Sequence, residues 1–252
     1  KDSATTLATA ATALGVTITT GVKVTGFLHT GKRVSGVRTS AGELRADTVV
    51  IAGGAASAHL GHLAGGAVPV VPVTHQYAVT DPFDPPLDPE ALPTVRDPDR
   101  NLYFRAAGGG LILGGYPENP VPAWPLNGTP PLTTPRTTSA PAPVDDLLEA
   151  ARGRIPGLPG VAKVICGPEG FSPDGEPLVG AAGVPGLWTA AGMGLHGMAL
   201  AAGVGKALAE RIVGGSSEWD LTALDPQRFG PFAHNRHWIT TRAVDAFQRL
   251  RS

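Results

Sequence analysis

The chain has 252 residues, a net charge of −1 and 16% charged residues. That balance excludes a basic nucleic-acid-binding field and an acidic solvating tail. Hydrophobic residues at 42% support a globular core for one large domain or two small ones, and no apolar run approaches the about 20 residues that span a bilayer. The 34 glycines and 25 prolines form no low-complexity repeat, so they imply tight turns and close backbone approaches rather than disorder. The single cysteine, Cys166, rules out an internal disulfide framework; it points to a reducing compartment, and the expected location is cytoplasmic. No signal-peptide pattern opens the sequence, and Lys1 in place of Met leads us to expect that the natural N-terminus lies further upstream.

Leu7, Ala10, Ala11 and Leu14 share one helical face, with Asp2 or Ser3 as the N-cap and Gly15 as the stop. Val16–Thr19 reads as a short strand. "VKVTGFL" and "RVSGVRT" flank His29-Thr30-Gly31-Lys32 as a hairpin, and Val49–Ala52 is a buried-looking strand entering Gly53-Gly54. No βαβ unit opens the chain. Val68–Thr80 is a long β pattern, and "NLYFRA" pairs with "GLILGGY" around Gly108-Gly109-Gly110. Nine prolines between Tyr116 and Val144 mark an extended surface loop, because proline cannot donate to a ladder. "VDDLLEAARGRIPGL" is a helix of about three turns. "AKVICGPEGFSPDGEPLVG" reads as strand, turn and strand, and "GLWTAA" as another strand. His196–Val213 is a helix, and a last helix covers Ile239–Leu250 with Ile239, Ala243, Phe247 and Leu250 on one face.

"AAGMGLHGM" contains a literal G-x-G-x-x-G at Gly192, Gly194 and Gly197. A dinucleotide fingerprint needs a second parallel strand carrying an acidic residue further on. The polar, proline-broken "SSEWDLTALDPQRF" supplies none. Two readings of the loop remain. The helix N-terminus can face an anion, or a group that becomes anionic in a reaction; or the glycines serve tight helix–strand packing.

Several segments resemble, in order, the D-amino-acid-oxidase-like flavoprotein superfamily and its dimethylglycine and sarcosine dehydrogenase branch. They are "GVKVTGFLHTGKRVSGVRTSAGELRADTVVIAGGAAS", "VPVVPVTHQYAVTDP", "NLYFRAAGGGLILGGYPENP", "CGPEGFSPDGEPLVG" and "AAGMGLHGM…GKALAERIVGG…DLTALDPQRF". The resemblance implies an α+β fold: a partial Rossmann-like, glutathione-reductase-type FAD-binding domain (residues 1–66 and 164–252) and an antiparallel β-sheet substrate domain (67–163). The family's own phosphate-binding βαβ unit and the folate module of many members have no counterpart here. We therefore expect a C-terminal portion of a flavoenzyme, or one chain of a split one, whose N-terminal FAD-binding segment is a companion partner and without which the chain is inactive.

The resemblance also assigns roles. Gly192, Gly194, Leu195, His196, Gly197 and Met198 would hold the flavin's pyrimidine edge, where reduction leaves negative charge that a helix N-terminus stabilises. Pro173, Asp174 and Gly175 would lie nearby, although P-D-G is equally an ordinary turn. Gly53 and Gly54 would border the phosphate and ribityl region. Val24 would stand beside the adenine or in the core. His75 and Tyr103 would lie over the flavin as the catalytic pair, and Arg105 would meet a substrate carboxylate or be a surface charge. Cys166 is expected to be a buried, inert thiol rather than a flavin attachment point. His59 and His62 lack a third ligand, so no metal site is expected.

The implied activity is FAD-dependent oxidation of a secondary or tertiary N-methyl amine or amino acid, by hydride transfer to flavin N5. The rival reading is a non-catalytic partner-binding module. The small-molecule amine is left open by the sequence, as is the final electron acceptor.

Overall fold

A computed structural model describes residues 2–124 and 144–251. Most of the proline-rich stretch expected as a surface loop, residues 125–143, lies outside them.

The first expected helix is α1 (Asp2–Ala13). Its apolar side is uncovered, with Leu7 and Leu14 exposed. Val16–Thr19 is not a strand: it joins no ladder among the described residues, and a strand exists only as part of a ladder. The expected hairpin is β1 (Val24–Thr30) and β2 (Arg33–Thr39), closed by the pair Thr30↔Arg33 and continued by β3 (Gly42–Arg45) into a three-stranded meander. β4 (Val49–Ile51) follows, then α2 (Ser57–Leu63).

β5 (Val71–Thr80) begins inside the expected Val68–Thr80 run. β6 (Val95–Asp97), β7 (Leu102–Ala107) and β8 (Gly110–Gly115) come next, and β7 and β8 form the expected hairpin. α3 (Asp145–Arg152) is shorter than expected; the chain leaves the helix at Gly153, ahead of Pro156. β9 (Val161–Phe171), β10 (Leu178–Ala181), β11 (Leu187–Ala191) and α4 (Gly197–Gly214) complete the middle of the chain. α5 (Arg236–Gln248) starts earlier than the expected Ile239 because Asn235 caps it, its side chain accepting from the Trp238 N–H.

Three sheets result. β1-β2-β3 is antiparallel. β10-β11-β4 is mixed, with β11 parallel to β4, which is the parallel pairing a partial Rossmann-like sheet requires. β6-β7-β8-β5-β9 is antiparallel throughout. β9 pairs with β5 from Val161↔Thr80 to Phe171↔Val71, so this third sheet runs past residue 164 to the edge of the Pro173-Asp174-Gly175 turn.

The first two sheets share one core, built on Phe27, Val34, Ile51, Val70, Leu178 and Leu187. α5 packs on β5 and β9 through Ile239, Ala243 and Phe247 against Val71, Val73 and Phe171. α3 covers the opposite face of the five-stranded sheet at Leu102, Leu111 and Leu113. His75 lies on the α5 face, two residues beyond Val73 on the same strand, where Phe247 reaches it. No helix among the described residues is long and apolar enough to cross a membrane.

Candidate active site

Successive residues of a strand point to opposite faces. On β5, His75 and Tyr77 therefore share a face, and the register places Tyr77 and Tyr103 on either side of Gly114. A Cβ at Gly114 would stand 2.0 Å from Cζ of Tyr103. The glycine leaves the space into which the phenol folds. The Tyr103 hydroxyl then lies 3.4 Å from His75 Nε2, and the expected pair is brought together from positions 28 residues apart in sequence.

Aromatic rings surround this pair. Tyr116 stacks on the His75 imidazole, with centroids 5.7 Å apart and planes inclined by 10°. Phe247, from α5, meets it edge-on at 5.9 Å. Burial lowers the His75 pKa from its usual 6.5, against an opposing hydrogen bond at the Gly115 backbone. The imidazole is consequently neutral at pH 7 and can accept a proton. Burial pushes the Tyr103 hydroxyl well above its usual range, and the charges of Tyr116 and Glu169 add to this. Tyr103 is therefore a donor. Neutral acceptor and protonated donor form a pair suited to moving one proton at a substrate nitrogen.

Arg105 is exposed and shares the face of Tyr103, with Nη1 3.5 Å from the Ala106 carbonyl. A second cation lies against the ring that stacks on the imidazole. Arg96, across from Tyr103 in the β6–β7 register, sits 4.9 Å above the Tyr116 ring and donates to the Leu250 carbonyl. Sequence reasoning missed it, because "LPTVRDPDR" shows too little alternation between proline and aspartate to read as a strand. It missed Tyr116 too, and it placed Phe247 only as a core residue.

The glycine loop converges on the same end of the sheet. Gly192 and Gly194 have φ of +66° and +53°, a region costly for other residues. The Gly194 N–H donates to the Gly170 carbonyl at 2.9 Å, and Met193 bridges to Phe171. Phe171 meets Phe247 edge-on at 5.1 Å. An unbroken run of contacts thus joins the loop to His75 through two rings. Gly53 and Gly54, distant in sequence, arrive beside the same strand: a Cβ at Gly170 would lie 3.4 Å from the Gly54 carbonyl carbon and the Ala55 nitrogen.

Leu195 is half-buried, whereas His196 and Met198 are exposed. His196 stands at the N-cap of α4 without a side-chain hydrogen bond. The groups this helix end presents are therefore backbone N–H groups at Gly197, Met198 and Ala199, which have no intrahelical acceptor. Asp174 turns inward to Arg228, and Pro173 is buried. Val24 packs against the first core. Cys166 pairs in register with Gln76, so it points to the face opposite His75, and it is buried.

These residues fit FAD. The Ser57 hydroxyl, beside the exposed Gly53-Gly54 turn, is sealed from solvent with no hydrogen-bond partner among the described residues. Buried polar groups are rarely left so, and a ribityl hydroxyl or a phosphate oxygen would supply the partner it lacks. The free N–H groups of α4 suit the edge of a ring that becomes anionic on reduction.

Sequence comparison agrees. Human mitochondrial sarcosine dehydrogenase is 32% identical over 97% of this chain and 27% of its own length. The mitochondrial regulatory subunit of mouse pyruvate dehydrogenase phosphatase is 31% identical over 97% of the chain and 28% of its own length. The chain thus spans little more than a quarter of the length of these two relatives. Among solved structures, the L-proline dehydrogenase of P. horikoshii superposes with a TM-score of 0.68 at 24% identity, over 82% of this chain and 54% of that one, a likeness of fold. Residues 214–250 match the FAD dependent oxidoreductase central domain. Residues 2–211 match the DAO family of FAD dependent oxidoreductases, and the chain belongs to that family, whose cofactor is FAD.

Proposed function

We propose that this chain is the substrate-facing and flavin-ring-facing part of an amine oxidoreductase acting on a secondary or tertiary N-methyl amine or amino acid. The observation that carries the reading is the His75–Tyr103 pair, half-buried together in an aromatic cage. FAD, when bound, supplies the two-electron acceptor for a hydride from the carbon beside the nitrogen. His75, neutral at pH 7, takes the ammonium proton and frees the nitrogen lone pair. Tyr103 stays protonated and orients the imidazole or the substrate carboxylate. Arg105 and Arg96 flank Tyr103 on its face and hold that carboxylate. The cage excludes water until the oxidised amine, an iminium, is hydrolysed to aldehyde and amine.

FAD would be held by Gly53, Gly54 and Ser57, by the Pro173-Asp174-Gly175 turn and by the Gly192–Met198 loop. We infer that residues 1–66 and 164–252 serve the cofactor and 67–163 the substrate, and that a further FAD-binding segment completes the cofactor site. Met198, Leu200 and Val50 are exposed apolar side chains on α4 and β4, surface that such a segment would cover. A second reading, a non-catalytic module, has the similarity to a phosphatase regulatory subunit in its favour. One experiment separates them. The FAD-loaded full-length protein is mixed anaerobically with sarcosine, dimethylglycine and larger N-methyl amines while the flavin absorbance is followed. Bleaching that His75→Asn slows supports the enzyme, whereas no bleaching by any amine favours the module.

A further inference from the structure

A second cationic site lies at the N-terminal end of α5, the end away from the Phe247 contact with His75. A cavity of about 390 Å³ opens where α2 and the loop after it meet the start of α5. Its walls include Ala58, Ile239 and Trp124, and its polar groups are His62, His234 and Arg236. None of the described lining residues is acidic.

Arg236 is held in place rather than loosely displayed. Its guanidinium stacks on Trp124, with Cζ 4.3 Å from the ring centroid. The indole is itself pinned: Trp124 Nε1 donates to Thr240 Oγ1 at 3.3 Å, and Thr240 Oγ1 donates to the Arg236 carbonyl at 2.8 Å. Helix, ring and guanidinium form a closed circuit. Yet Arg236 Nε and Nη2 are buried and meet no acceptor among the described residues. Partial burial lowers the pKa of the group, and sealed donors left without acceptors are costly to a fold. A pre-oriented fork with empty donors, at the end of a largely apolar cavity flanked by two imidazole donors, is the chemistry that receives a carboxylate with a short hydrocarbon tail.

We propose that this cavity is a binding site for a small aliphatic carboxylate, separate from the site that faces the flavin and not dependent on the activity assigned there. The carboxylate meets the Arg236 fork, and the tail lies against Ala58 and Ile239. Because the walls are apolar, butyrate fits better than acetate, and a compact, fully hydrated oxyanion such as inorganic phosphate fits worst.

The test uses calorimetric titration of the FAD-loaded full-length protein with butyrate, acetate and inorganic phosphate. We expect saturable butyrate binding that is tighter than that of either other anion, persists in His75→Asn and leaves the flavin absorbance unchanged. Arg236→Gln should weaken it at least ~10-fold, and Arg236→Lys, which keeps the charge and loses the fork, should weaken it as well. Ala233→Phe puts a ring into the cavity while leaving Arg236 in the sequence, and it should abolish binding even if Arg236→Gln proves poorly folded. No saturable binding to the wild type, binding unchanged by Arg236→Gln and Ala233→Phe, loss in His75→Asn, or phosphate binding tighter than butyrate would each overturn the assignment.

Discussion

Asp174 and Arg228, 54 residues apart, form a two-pronged ion pair, with Nε to Oδ2 and Nη2 to Oδ1 both at 2.8 Å. Arg228 also donates to the carbonyls of Pro177, Asp225 and Glu176, and Arg249 donates to the Asp174 carbonyl. The turn after β9 is thereby tied to the C-terminal tail and to the end of α5. Burial alone would raise the Asp174 carboxyl, but the hydrogen bonds and charge of Arg228 outweigh it and hold the group below its ordinary 3.8. A depressed carboxylate contributes stability that is full above the ordinary value and is lost as pH falls through the folded one. Asp174→Asn should therefore cost about 1–2 kcal/mol at pH 7, less than a sealed ion pair would, because Asp174 is 36% exposed. The deficit against wild type should shrink below pH 3.8. Urea unfolding at pH 7 and pH 3 checks both statements; an equal deficit at the two values would mean that the charge is not what matters.

His75 has the same sign for a different reason. Its folded pKa lies below 6.5 because burial disfavours the imidazolium, so the unfolded chain binds the proton more readily. The stability attached to His75 is full above pH 6.5 and declines as pH falls toward the folded value. The acid limb of kcat/KM for amine oxidation should likewise lie below pH 6.5. His75→Asn should remove that limb and lower kcat/KM by roughly 10²- to 10⁴-fold, the scale of a lost general base. A pH–rate profile of the variant that keeps the wild-type limb would take the proton transfer away from His75.

Much of this site could be read in the sequence, but not all for the same reason. His75 and Tyr103 lie on strands with clear alternation, and the register does the rest. Gly192 and Gly194 were visible as a turn into a helix. Arg96 was not, since a three-residue edge strand between prolines has no period to detect. Arg228 as the partner of Asp174 was equally hidden, because a pairing across 54 residues leaves no local trace. Tyr116 follows the last residue of β8, and its stacking on His75 depends on where α5 presses Phe247, a tertiary fact. The expected strand at Val16–Thr19 failed in the opposite direction: the local pattern was present, and no partner strand was there among the described residues.

Gly114 tests whether close approach alone positions Tyr103. Gly114→Ala places a methyl group 2.0 Å from Cζ of the phenol, and the ring must leave. Tyr103→Phe removes only the hydroxyl. If the hydroxyl matters through its placement beside His75, both variants should lose kcat, by about 10-fold or more, while the flavin spectrum of each stays that of wild type. Gly114→Ala should additionally raise KM, because a displaced ring intrudes on the substrate side. A Gly114→Ala protein with normal kcat would show that the 3.4 Å contact between Tyr103 and His75 is incidental.

The start of α4 offers the last test, and it concerns backbone rather than side chain. His196 is exposed and makes no cap hydrogen bond, so His196→Ala should leave the flavin potential nearly unchanged. The N–H of Gly197 is different, because it is one of the unpaired donors that would face the flavin edge where negative charge collects on reduction. Gly197→Pro removes that donor at the first helical position, where the lost N–H breaks no intrahelical bond. Gly197→Ala keeps the donor, and its methyl group meets the chain no closer than 3.5 Å, at Met193. Losing one hydrogen bond to a charged group costs about 1.5–3 kcal/mol, which for a two-electron couple is a fall of about 30–60 mV. Spectroelectrochemical titration of the FAD-loaded full-length protein should find that fall in Gly197→Pro and not in Gly197→Ala. Equal potentials in the two variants would leave the glycine loop with the packing role alone, and the charge on the reduced ring would have to be met elsewhere.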